Sequence, residues 1–233
     1  MNKSIVGACL ALPLCAMAGR PLVTEDVRTL DDRACQLESW MNRAQNRTTQ
    51  FWAVPACTYA GLEVQIGGER SRGNGVTTTT AVFTQGKYAF RSIDDGSWGA
   101  AIVAGIQRLP NRESENGWGD TYVILPLSLA LGTDRDRRTL AHLNLGMTRL
   151  REGGRNLVNW GAALETSLMA RLAMVAETYG QNAAKPFFRL GGRYALIDGA
   201  LDLDLTYVTR SGGTSEDRLW SLGFHWQSAP FLP

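Results

Sequence analysis

The sequence predicts an all-β protein: a transmembrane antiparallel up-and-down β-barrel of about 12 strands. Three observations lead there. First, from Phe187 to Trp226 the chain alternates between apolar or aromatic residues and small or charged ones, the period-2 pattern of a sheet with two unlike faces. Second, the connections between successive strand-like stretches alternate between short turns and longer polar loops. Third, an N-terminal export signal is followed by no second hydrophobic segment, so a membrane protein here has to cross with strands. A soluble sandwich shares the first feature but has no reason to segregate its loops by length.

Met1–Lys3 is a short basic region, Ile5–Leu14 an apolar one, and Ala16–Met17–Ala18 a small-x-small cleavage site, so residues 1–18 read as a secretory signal peptide and the mature chain starts at Gly19. The apolar run is shorter than the roughly 20 residues a spanning helix needs, and bulky Leu14 argues against lipidation of Cys15. With 24 Lys and Arg against 22 Asp and Glu, no nucleic-acid partner is expected. Of the four cysteines, Cys9 and Cys15 leave with the signal. Cys35 and Cys57 are left to form one disulfide in an oxidising compartment. Two cysteines and two distant histidines are too few for a metal site, and no cofactor is expected.

Residues 19–34 lack a clear period and read as a periplasmic N-terminal segment. The barrel follows over residues 35–227, with 228–233 as a periplasmic tail. Its first strands, Cys35–Asn42 and Gln50–Cys57, flank a polar loop. Pairing them about Asn46 sets Cys35 opposite Cys57 and Trp40 opposite Trp52, so the bridge is geometrically feasible. Further strands are expected at Tyr59–Gly68, Thr77–Arg91, Ser97–Arg108, Trp118–Leu131, Thr139–Arg149, Asn156–Thr166 and Met169–Tyr179. The set closes with Phe188–Leu196, Leu201–Tyr207 and Arg218–Trp226. Leu164–Tyr179 has a helix-like composition but is read as two strands around a turn at Ser167–Leu168. Other short turns fall at Asp94–Gly96, Thr133–Arg135 and Asp198–Gly199, the last a strong hairpin signal. Longer loops are expected at Glu69–Val76, Leu109–Gly117, Glu152–Arg155, Gly180–Lys185 and Arg210–Asp217. Tyr88, Phe90, Trp98, Tyr194 and Trp226 fall near the short-turn end, and Trp118, Trp160, Phe188, Tyr207 and Trp220 near the long-loop end. These are the two aromatic girdles of a membrane barrel.

The sequence also resembles a family. Arg20–Asp26, Cys35–Trp40, Gln85–Lys87, Ala176–Gly180 and the ending Ser228–Pro233 are similar to small proteobacterial outer-membrane barrels grouped with transporters linked to the phenol meta-cleavage pathway. The resemblance implies a barrel in the outer membrane of a Gram-negative cell, seated among outer-membrane lipid by the barrel-insertion machinery. One mark departs from outer-membrane practice: the chain ends Phe231–Leu232–Pro233 rather than on an aromatic residue, leaving the final strand up to Trp226 to carry the insertion signal.

Strand parity predicts the lumen lining. Its acids are Glu38, Glu63, Glu165, Glu177, Asp202 and Asp204; its bases are Lys87, Arg91, Arg171, Arg189 and Arg193. Trp40, Trp52, Gln85, His142, Asn144 and His225 join them. The Asp198–Gly199 turn brings Arg193 opposite Asp204 as a cross-strand ion pair. A mixed-sign ladder of this kind either guides small solutes, aromatic ones included, through a channel, or fills a closed structural barrel, with residues 19–33 helping to close it. Trp40 and Trp52 either stack a ring-bearing solute or cover the hairpin and clamp the N-terminal segment. A lipid-modifying enzyme is the third reading. Its only candidates are His142–Asn144 and Ser221 with His225, and neither gives Ser–His–acid spacing on a lipid-facing wall.

Overall fold

A computed structural model of the chain describes residues 21–73, 75–110, 119–131, 139–182 and 184–233. Twelve strands make one closed barrel. They are β1 Cys35–Ala44, β2 Thr49–Tyr59, β3 Leu62–Gly73, β4 Val76–Arg91, β5 Trp98–Arg108, β6 Asp120–Leu131, β7 Thr139–Arg149, β8 Asn156–Met169, β9 Leu172–Gln181, β10 Phe187–Ile197, β11 Leu201–Arg210 and β12 Leu219–Gln227. Each pairs antiparallel with its sequence neighbour, and β1 pairs with β12 to close the wall. Closure removes every sheet edge, so the backbone polar groups are satisfied inside the wall, the condition for crossing hydrocarbon. The even strand number brings the C-terminus back to the end of the barrel where β1 starts, the near end.

Alternation turns the barrel inside out relative to a soluble protein. Ile66 and Leu145 on the outer wall are each 61% exposed, while inward-facing Glu38 and Gln85 are 2% and 3% exposed. The outer surface also carries aromatic rings at both ends. Tyr88, Phe90, Trp98, Tyr194 and Trp226 are exposed towards the near end, and Phe188 and Trp220 towards the far end. Trp160 and Tyr207 are half-buried, and Trp118 lies outside the described residues.

The registers agree with the sequence at its two best-marked hairpins. Cys35 stands opposite Cys57 and Trp40 opposite Trp52, and the cysteines are joined by a disulfide. Beyond the turn at 198–200, Arg193 stands opposite Asp204. Between β2 and β3, Ala60 (φ 51°) and Gly61 (φ 77°) make a two-residue turn with both torsions positive, the type I′ geometry that suits strand twist.

Three expectations need correction. β8 runs on to Met169, so its turn lies at Ala170–Arg171 rather than Ser167–Leu168. The loop expected at Glu69–Val76 is mostly strand: after a bulge at Glu69, residues Arg70–Gly73 pair with Val76–Thr79, as a β-branched threonine run favours. The segment read as a periplasmic lead-in lies, over its described residues, inside the barrel. The signal peptide (1–18) and the Thr133–Arg135 turn lie outside the described residues.

Candidate functional site

Residues 21–34 enter the lumen from the near end and reach about mid-height. At the base, Arg33 N donates to the Thr58 carbonyl (2.8 Å), and Thr58 N to Ala34 O (3.0 Å). Higher up, side chains of six strands hold the segment. Glu63 of β3 accepts Leu30 N (2.9 Å), and Ser128 of β6 accepts Val27 N (3.2 Å). Asn144 of β7 accepts Glu25 N (2.6 Å) and donates to Glu25 O (2.8 Å), both bonds a neighbouring strand would make. Glu177 of β9 takes Val23 N (2.9 and 3.0 Å to its two oxygens) and Thr24 N (2.9 Å). Arg189 of β10, itself 3.3 Å from the Glu177 carboxylate, donates to the Pro21 carbonyl. Lys87 of β4 sits 3.3 Å from Glu25 and 2.9 Å from Asp26.

Apolar contacts complete the seat. Leu22 packs on Ala163 and Val175, and Val27 packs among Ile93, Ala101 and Leu140. Thr24 lies against Gly161 so closely that a Cβ there would come within 2.5 Å of its hydroxyl. Beside Val23 and Thr24 a small gap is left against the wall, lined by Ile124, Asn144, Asn159 and Tyr179 among others.

Two carboxylates share one ammonium at Lys87. Burial pushes the Glu25 carboxyl up to about 8 against the pull of Lys87. Burial also works against the Asp26 charge, but Lys87, His142 and Arg28 outweigh it and hold that carboxyl at about 2. Of the two carboxyls, Glu25 is therefore the one that takes up a proton first as pH falls, while Asp26 stays paired with Lys87 as an ion.

Around the segment the wall is cross-linked by polar side chains. Tyr122 donates to Gln85 (2.6 Å), Gln85 to Gln65 (3.1 Å), and Gln65 to Glu63 (2.7 Å). Arg193 pairs with Glu165 and lies 4.0 Å from Asp202. His225 bonds Gln36 (2.9 Å) and lies 3.7 Å from Asp202. Glu38 and Asp204 are buried on the inward parity. Trp40 and Trp52 stack on each other (centroids 5.4 Å apart, 11° between planes) and pack with Val54, Ala81 and Phe83, and both rings are buried.

Two predicted lining residues stand elsewhere. Arg171 lies in the β8–β9 turn and pairs with Asp198 (3.1 Å) with over half of its side chain exposed, because the strand starts one residue later, at Leu172. Arg91 follows a bulge after Ala89, and its guanidinium lies 4.5 Å over the Trp98 ring at the near rim. Sequence reasoning missed Ser128, whose Oγ is 2.7 Å from His142 Nδ1, and it missed Gly161. The Ser128–His142 pair faces the lumen, with the Ser128 oxygen occupied by Val27 N–H.

The family model described as uncharacterised conserved protein UCP029691 matches residues 9–223. The chain belongs to this family. No curated protein matches the sequence. Among solved structures, this UCP029691 chain is similar to a KdgM porin at TM-score 0.58 and 6% identity, covering 82% of this chain and 98% of that one. It is also similar to the COG4313 outer membrane channel from Pseudomonas putida F1, at TM-score 0.51 and 11% identity over 87% of this chain and 97% of that one. A NanC porin gives TM-score 0.50 and 11% identity over 83% and 98% of the two chains. At these identities the likeness is one of fold: the porin-type barrel.

Proposed function

We propose that the protein is an outer-membrane channel for small solutes whose lumen is closed at rest by its own residues 21–31. The supporting observation is how this segment is held. Its contacts above the base go to wall side chains rather than into the hydrogen-bonded ladder, so it can leave without breaking any strand pairing. A structural filler needs no such separable part, because a salt-bridged wall already fills a narrow barrel. Export through the signal at residues 1–18 and a Gram-negative outer-membrane location belong to the same reading. So does insertion by the barrel-insertion machinery. Aromatic solutes, suggested by the resemblance to transporters linked to the phenol meta-cleavage pathway, are the first class to assay. The stacked Trp40–Trp52 pair is itself buried against Val54, Ala81 and Phe83.

The test is ion conductance of the purified protein in planar bilayers, with and without residues 21–30. The expected result is rare openings for the full chain and steady conductance for the deletion. A deletion variant that runs as a heat-modifiable barrel yet stays closed would favour the non-conducting structural barrel. The enzyme reading finds less support, since the Ser128 hydroxyl is engaged by both His142 and Val27 N–H inside the lumen. Lipase activity that disappears in S128A and H142A would revive it.

A further inference from the structure

We propose that the vacated lumen wall is a binding site for peptides, and that short chains bearing two adjacent carboxylates are the ligands it fits. The inference deepens the channel reading and rests on it for access to the site.

The argument starts from what the wall bonds. Glu177, Asn144, Ser128, Glu63 and Arg189 all reach main-chain atoms: N–H groups of Val23, Thr24, Glu25, Val27 and Leu30, and carbonyls of Glu25 and Pro21. Amides and carbonyls recur in every peptide whatever its side chains, so these five groups recognise peptide as a chemical class. Asn144 is the clearest case, because its side-chain amide gives and takes one hydrogen bond with the same residue, as a paired strand would. When the segment leaves, Asn144 and the carboxylates of Glu63 and Glu177 exchange these amide partners for water. A ligand with matching amides restores the hydrogen bonds that the segment made, each a modest net gain over water.

Side-chain discrimination is added at three places. Lys87 meets the neighbouring carboxylates of Glu25 and Asp26. Ala163 and Val175 form an apolar seat under Leu22. Gly161 leaves clearance for a small β-branched residue, Thr24. Together they describe a ligand with an apolar residue, a small residue and then an acidic pair.

The experiment uses the variant lacking residues 21–30, in detergent, and a fluorescent peptide with the sequence of residues 21–31. Saturable binding by fluorescence anisotropy is expected. A scrambled peptide, or the same peptide with glutamine and asparagine at the Glu25 and Asp26 positions, should bind at least tenfold more weakly. Equal binding of native and scrambled peptides, or no binding of either, would overturn the proposal. Conductance is recorded in parallel. Sequence-dependent binding by a barrel that never conducts leaves the peptide site standing and removes the channel. Conductance that the native peptide blocks no better than the scrambled one does the reverse. If the deletion fails to give a heat-modifiable barrel, the full chain carrying E25Q and D26N replaces it: its own segment is weakened while the wall is intact. There the native peptide should still bind and the scrambled one not, and binding of neither or both alike counts against the site.

Discussion

Replacing Glu177 by alanine is the sharpest way to test whether the segment is a separable closure. Glu177 is buried and accepts two main-chain N–H groups of the segment, at 2.9 to 3.0 Å. Hydrogen bonds to a charged acceptor contribute roughly 1.5–3 kcal/mol each. The Glu177–Arg189 ion pair is present whether the segment is seated or gone, so it cancels from the seating equilibrium, and Arg189 keeps its bond to the Pro21 carbonyl. Losing the two N–H bonds therefore weakens seating by about 3–6 kcal/mol, which is on the order of 10² to 10⁴ in the closed-to-open ratio. Glu177→Gln, which retains an acceptor oxygen, should give a clearly smaller change. The assay is open probability in planar bilayers, with heat-modifiable gel mobility as the control for an intact barrel. An E177A barrel that is intact but opens no more often than the unaltered protein, while the deletion conducts freely, would show that Glu177 does not hold the segment and refute this energy assignment.

Gly161→Ala should also raise open probability, because the added Cβ meets the segment at Thr24; bilayer recording of that variant is the check. Seating should weaken as pH rises. The raised Glu25 value favours the seated form fully below its ordinary value of 4.5, and that advantage is lost as pH rises through about 8. Open probability measured between pH 5 and pH 9 should increase across this window, and E25Q should flatten the profile. Removing the Cys35–Cys57 bridge, which closes a loop of sequence separation 22, should lower barrel stability by about 3 kcal/mol at most. That loss would be read as a lower temperature for the heat-dependent gel shift of C35S/C57S.

The wall was largely legible in the sequence and its contents were not. Strand parity is a local property, and the Asp198–Gly199 signal marks the hairpin. The turn takes in 198–200, and a register shift between Ala195 and Ile197 absorbs the extra residue, so Arg193 falls opposite Asp204 as expected. Where turn chemistry is absent, position drifts. Between Ser167 and Leu172 there is no Gly, Pro, Asn or Asp to mark the bend, so the sequence alone puts the turn too early and Arg171 in the lumen. The bulge after Ala89 has no sequence mark either, and it moves Arg91 to the rim. The N-terminal segment was the hardest part to read. It has no period of its own, and its partners, from Glu63 to Arg189, are spread over six strands. One hint lies in the charges: Glu25 and Asp26 are adjacent acids with only Arg28 near them in sequence, while Lys87 lies on an inward parity.

The segment joins the barrel at a fixed point. Arg33 and Ala34 are bonded to Thr58, and Phe231 N donates to the Arg33 carbonyl (3.0 Å), so the base is clamped between β2 and the C-terminal tail beside the Cys35–Cys57 bridge. A released segment is thus a ligand on a short leash. Its effective concentration at its own seat is on the order of millimolar, and reseating is unimolecular, independent of how much protein the membrane holds. A free solute at micromolar concentration competes against that local excess, so the leash rather than the pore diameter sets how long each opening lasts.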